Sequence, residues 1–153
     1  MPWRLPLRRT RSGTYQLSLS AQHRQLLQAL TKQLLAVIAA QPDEPSLRRL
    51  APPAYTSDPR AEQEYRRLMG ADLEERRSRA LGVLASTAGA TELSAEQLDE
   101  WLRALNALRL WLGTLLDVSE DEGAEEPEDD WHAAYRFLTA LQAYAIDALE
   151  GAR

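Results

Sequence analysis

The stretch Ser94-Ala95-Glu96-Gln97-Leu98-Asp99-Glu100-Trp101-Leu102-Arg103-Ala104-Leu105-Asn106-Ala107-Leu108-Arg109-Leu110-Trp111-Leu112-Gly113 decides the fold. Ser94 with Gln97 three residues on is a capping box, which satisfies orphan N–H groups at a helix start. At 100° per residue, with Leu105 as centre, Leu98, Trp101, Leu102, Leu108, Leu112, Leu115 and Leu116 all fall within about 80°. The spacing predicts a helix over 95–117 with a wide apolar face turned to a core. Arg109 sits about 40° from that centre, so its guanidinium must find a carboxylate or carbonyls. It reads either as a structural buried ion pair or snorkelling side chain, or as a recognition residue for a ligand or partner. Glu64 is the first expected partner, with Asp58 and Asp72 as alternatives. Asn106 and Gly113 border the same stripe and mark a close helix or loop contact.

Working outward, Ser20 caps a helix over 21–40 whose Leu26, Leu27, Leu30, Leu34, Val37 and Ile38 recur at helical spacing. Pro42 and Pro45 end it, residues 47–50 read as one turn, and Pro52-Pro53-Ala54-Tyr55 as a rigid connector. Asp58-Pro59 reads as N-cap and first helical residue. That helix runs through Ala61, Tyr65, Leu68 and Met69 and breaks at Gly70. Asp72-Leu73-Glu74-Glu75 reads as the cap of a further helix, ending near Gly89. The last helix, 131–150, carries Trp131, Tyr135, Leu138, Leu141, Ala145 and Leu149 on one face. Before all of these, residues 3–7 and 14–19 alternate apolar and polar, a β-hairpin pattern. The expectation is a mainly α, compact helical bundle of about five helices with a small N-terminal β-hairpin within 1–19, in a single domain of 1–153.

Composition agrees. Leu (27) and Ala (24) make up one third of the 153 residues, Phe137 is the only Phe, and no apolar run approaches the ~20 residues of a membrane span. Cysteine is absent, which removes disulfides and thiolate chemistry from these residues. Net charge is −5, split as +6 over residues 1–60 and −11 over 61–153. That balance argues against a dedicated nucleic-acid binder. Residues 119–130 carry eight carboxylates and read as a flexible acidic loop. No long apolar leader is visible, so a cytoplasmic location is expected.

Other groupings were weighed for chemistry. Asp129-Asp130-Trp131-His132 contains one Asp-x-x-His, far short of a di-iron set; solvation, with Asp130 as N-cap, explains it better. Asp72-x-x-Glu75 and Glu96-x-x-Asp99 resemble paired magnesium motifs of a hydrolase, but Glu96 and Asp99 lie on the water side of their helix. Arg8, Arg9 and Arg11 form a basic turn and a candidate anion contact. No metal, cofactor or catalytic residue is implied.

Three stretches resemble the AosR-like family: Pro52–Tyr55 with Asp58-Pro59 and Glu64–Leu68; Trp101–Gly113 with the acidic run after it; and Tyr135-Arg136-Phe137-Leu138-Thr139-Ala140-Leu141-Gln142. The resemblance spans most of the chain. It implies a regulator of transcription under oxidative stress, with a sigma factor or other transcription machinery as partner. It also implies a switch through a Cys pair, which this chain lacks. The reading is a non-enzymatic cytoplasmic regulatory or adaptor domain acting through protein contacts. The alternatives are direct DNA binding through the N-terminal arginines and, remotely, an acidic-site metal-dependent hydrolase.

Overall fold

The computed structural model describes residues 5–50, 57–117 and 128–151. Two features expected from the sequence, the Pro52–Tyr55 connector and most of the acidic loop, lie outside these residues. The order is β1 (Leu7–Arg9), β2 (Tyr15–Leu17), α1 (Ala21–Ala40), a 3-10 turn (Pro45–Leu47), α2 (Pro59–Thr87), β3 (Glu92–Leu93), α3 (Ala95–Leu115) and α4 (Asp130–Glu150).

The hairpin is real but shifted. Arg8 and Arg9 lie in β1 rather than in the turn, and Leu7 pairs with Leu17, Arg9 with Tyr15. The turn closes through Gly13, whose φ of +87° suits a residue without Cβ. A third antiparallel strand, β3, pairs with β2, placing Leu93 opposite Tyr15. Leu7, Tyr15, Leu17 and Leu93 all turn inward and are buried. A hairpin alone is marginal, and this one is held by a third strand and by the helices beneath it.

Three of the caps read from sequence hold. Ser20 accepts from His23 N–H, Asp58 from Arg60 and Ala61 N–H, and Ser94 and Gln97 form the reciprocal box. Helix number does not hold. Residues 59–87 form one helix straight through Gly70, so four α-helices stand where about five were expected. One glycine costs only about 1 kcal/mol inside a helix. Good helix formers on both sides absorb that, and Asp72 is an ordinary exposed helical residue instead of a cap. Asp129, rather than Asp130, caps α4, accepting from His132 N–H at 2.8 Å.

The core joins Leu27, Leu34, Leu81, Leu84, Leu98, Trp101, Leu105, Leu108, Leu138 and Leu141. The indole N–H groups of the two buried tryptophans are satisfied: Trp101 Nε1 donates to Thr87 Oγ1 (2.7 Å) and Trp111 Nε1 to Ser46 Oγ (3.1 Å). The second bond fixes the 45–50 segment against the end of α3. His23 stacks on Phe137 at 4.0 Å between ring centres, joining α1 to α4.

Candidate functional site

Arg109 lies on α3 where α4 crosses it. On α4, Tyr135, Thr139 and Gln142 follow at i, i+4 and i+7, so all three reach the same side. Arg109 Nε donates to Thr139 Oγ1 at 3.1 Å, and Nη1 donates to Gln142 Oε1 at 3.4 Å. The guanidinium carbon stands 5.7 Å from the centre of the Tyr135 ring. Gln142 Nε2 in turn donates to Asn106 Oδ1 at 3.5 Å. Gly113 makes the approach possible: a Cβ there would lie 3.1 Å from Tyr135 Cε2 and 3.5 Å from Arg49 Nη1. The close contact expected at Gly113 is therefore present, and it brings in Arg49 from the 45–50 segment.

The ion pair expected of Arg109 is not formed among the described residues. Glu64 pairs with Arg67 one turn along its own helix, at 2.6 Å. Asp58 is consumed by capping α2, and Asp72 is exposed. Arg109 itself is half-buried, not fully enclosed. The reason is geometric: residues 59–79 of α2 include no fully buried residue, and that helix enters the core through Ala80, Leu81 and Leu84, with Val83 packed against it.

The N-terminal arginines do not form one patch with a common role. Arg8 donates to Gln16 Oε1 across the hairpin at 2.8 Å, Arg9 lies beside it on β1, and Arg11 is exposed in the turn. The paired acidic motifs also stay apart in role. Glu75 pairs with Arg79 (3.6 Å), Asp99 with Arg103 (2.9 Å), and Glu96 sits exposed in the first turn of α3. Among the described residues no group of three or more His, Asp or Glu side chains is placed to hold a metal. A cleft of about 230 Å³ is lined by Arg76, Arg79, Glu100 and Arg103. Most of its charge is compensated by short-range pairs, although Glu100 Oε2 is buried without a hydrogen-bond partner among the described residues.

Sequence reasoning missed Arg24. Its guanidinium donates to four carbonyls: Leu17 (3.1 Å), Leu19 (3.2 Å), Ala88 (3.0 Å) and Ala90. It ties the start of α1 to the end of α2 and the lead into β3. The signal was available: Arg24 falls three residues before Leu27, in line with Leu34 and Ile38, as Arg109 does on α3. Arg77 is a second such residue; it donates to Leu50 O at 2.8 Å. Burial lowers its pKa, while Glu74 opposes that shift. His132 was expected to be solvated, yet it is buried against Asp129. The backbone N–H of His132, then its ring, hold the Asp129 carboxyl below its ordinary range.

Three large apolar side chains lie exposed on α2: Leu68 (63%), Met69 (40%) and Leu73 (36%). With Ala61 and Tyr65 they fall within an arc of about 140°.

A family profile described as "Domain of unknown function (DUF2017)" matches residues 2–149. The chain belongs to the DUF2017 family. This DUF2017 chain is 31% identical over 132 residues to a Mycobacterium leprae protein bearing the AosR name, covering 72% of this chain and 61% of that protein. It is 28% identical over 136 residues to the "Oxidative stress regulator AosR" of Mycobacterium tuberculosis and of Mycobacterium bovis, covering 75% of this chain and 62% of theirs. The chain thus spans about 61–62% of the length of these relatives. The AosR-like resemblance read from Trp101–Gly113 and the flanking stretches is shown by these matches. No solved structure matches the chain significantly. Among the described residues no helix is long and apolar enough to cross a membrane.

Proposed function

We propose that this DUF2017 chain is a non-enzymatic regulatory domain that acts in the cytoplasm by protein contact. Its partner is a sigma factor or another component of the transcription machinery, and its output is transcription under stress. The observation that carries this reading is the exposed apolar side of α2. Single exposed apolar residues are ordinary, but Leu68, Met69 and Leu73 cluster within two turns of a helix segment that has no fully buried residue. The names of the relatives support the regulatory role. The −11 charge over residues 61–153 supports protein over DNA as the direct partner, because it repels phosphates. With no cysteine in these 153 residues, the trigger does not run through a thiol of this chain.

The test is the double variant Leu68→Glu/Leu73→Glu in a host lacking the wild-type gene. Both positions are exposed, so the melting temperature should hold. Co-purification of a sigma factor and the peroxide response of its transcripts should be lost. A folded double variant that keeps both overturns the reading. Regulation kept by that variant but lost on Arg8→Ala/Arg9→Ala/Arg11→Ala would move the function to DNA contact.

A further inference from the structure

Arg49 and Arg109 carry charge that the described fold leaves without a carboxylate. A guanidinium offers five N–H donors. Arg109 engages two of them, both with neutral acceptors and both at 3.1 Å or longer. Arg49 donates no hydrogen bond among the described residues, although it is half-buried against Gly113. Elsewhere among the described residues inward arginines are satisfied: Arg24 with four carbonyls and Arg77 with Leu50 O. The departure at Arg49 and Arg109 is therefore local. Tyr135 neighbours both: the Arg109 guanidinium carbon stands 5.7 Å from its ring centre, and Arg49 Nη1 and Tyr135 Cε2 lie 3.5 Å and 3.1 Å from the point a Cβ on Gly113 would occupy.

We propose that Arg49 and Arg109 form a carboxylate-binding site, walled by Tyr135, for an Asp or Glu side chain of a partner's peptide segment. Guanidinium matches carboxylate geometry in a two-point contact, and the pairing is stronger than bonds to neutral acceptors. The surroundings select among anions. Thr139, Gln142 and Asn106 place a hydroxyl and two amides around Arg109, groups that suit a peptide's own N–H and C=O. The surplus of eleven negative charges over residues 61–153 disfavours a polyanion such as nucleic acid, and favours one carboxylate in an otherwise uncharged stretch. The site does not depend on the apolar side of α2 and stands or falls separately from it.

The probe is an acetylated, amidated hexapeptide with one central Glu, titrated into the full chain while the arginine Nε–Hε resonances are followed. The Glu peptide should shift the Arg49 and Arg109 signals saturably, more strongly at low salt, and its Gln counterpart should not. Arg49→Gln should weaken binding about tenfold to a hundredfold. Its melting temperature should stay put, because Arg49 donates no hydrogen bond in the described fold; this variant carries the test should Arg109→Gln fail to fold. Equal shifts from the Gln peptide, or no saturable shift, overturn the proposal. So does tighter binding by inorganic phosphate or a short oligonucleotide. Binding seen only after residues 118–127 are replaced by Gly and Ser also overturns it, since the chain's own carboxylates would then be the occupant.

Discussion

Removing Arg24 should be among the most damaging surface-proximal changes in this protein. In Arg24→Ala, the carbonyls of Leu17, Leu19, Ala88 and Ala90 lose one shared donor. A hydrogen bond from a charged donor contributes about 1.5–3 kcal/mol. Four bonds from one group do not add, because the group is desolvated and ordered once. A total of about 3–4 kcal/mol follows, set also by partial access of water to the freed carbonyls. Unfolding entropy near 2.1 cal/mol/K per residue gives about 0.3 kcal/mol/K for a chain of this length, so the melting temperature should fall by about 9–12 °C. Circular dichroism melting at fixed pH and salt reads this directly. Arg24→Lys should recover less than half of the loss, because one ammonium cannot span four carbonyls on three segments. A fall of less than about 3 °C in Arg24→Ala, or full rescue by Lys, would refute the claim that Arg24 holds β2, α1 and the end of α2 together.

Arg109→Ala should cost only about 1 kcal/mol in urea unfolding, the value for bonds to neutral acceptors, and not the 3–5 kcal/mol of a broken buried ion pair. Gly82→Ala should raise stability by about 0.5–1 kcal/mol, since its Cβ meets open space inside a helix. Gly113→Val should lower it by about 1–3 kcal/mol through collision with Tyr135 and Arg49, so the two glycines should respond with opposite signs in the same melt. Asp129→Ala should destabilise at neutral pH by removing the α4 cap. Because folding depresses the Asp129 pKa, its contribution is present above about pH 3.9 and is lost as pH falls through the lower folded value. The melting difference between wild type and Asp129→Ala should therefore close in acid; a difference unchanged down to pH 2 would rule out the ionised cap.

Sequence alone determined where three of the helices start, because those signals are local. Ser20, Asp58-Pro59 and the Ser94/Gln97 box set three starts, and the Leu98–Leu116 stripe set the buried face of α3. Leu7, Tyr15 and Leu17 turn inward as alternation predicts while Leu5 stays exposed, and Gly113 followed from its place at the edge of the stripe. Tertiary structure decided what local signals cannot reach. Strand β3 is two residues long and exists only because β2 offers it an edge. Whether α2 breaks at Gly70 depends on about 1 kcal/mol, a margin that long-range context can tip either way. The wheel placed Arg109 toward the interior, but an azimuth cannot say whether a carboxylate or a hydroxyl waits there. Arg49 reaches Gly113, distant from it in the chain, because Trp111 anchors Ser46 and the missing Cβ at Gly113 lets Tyr135 and Arg49 close in.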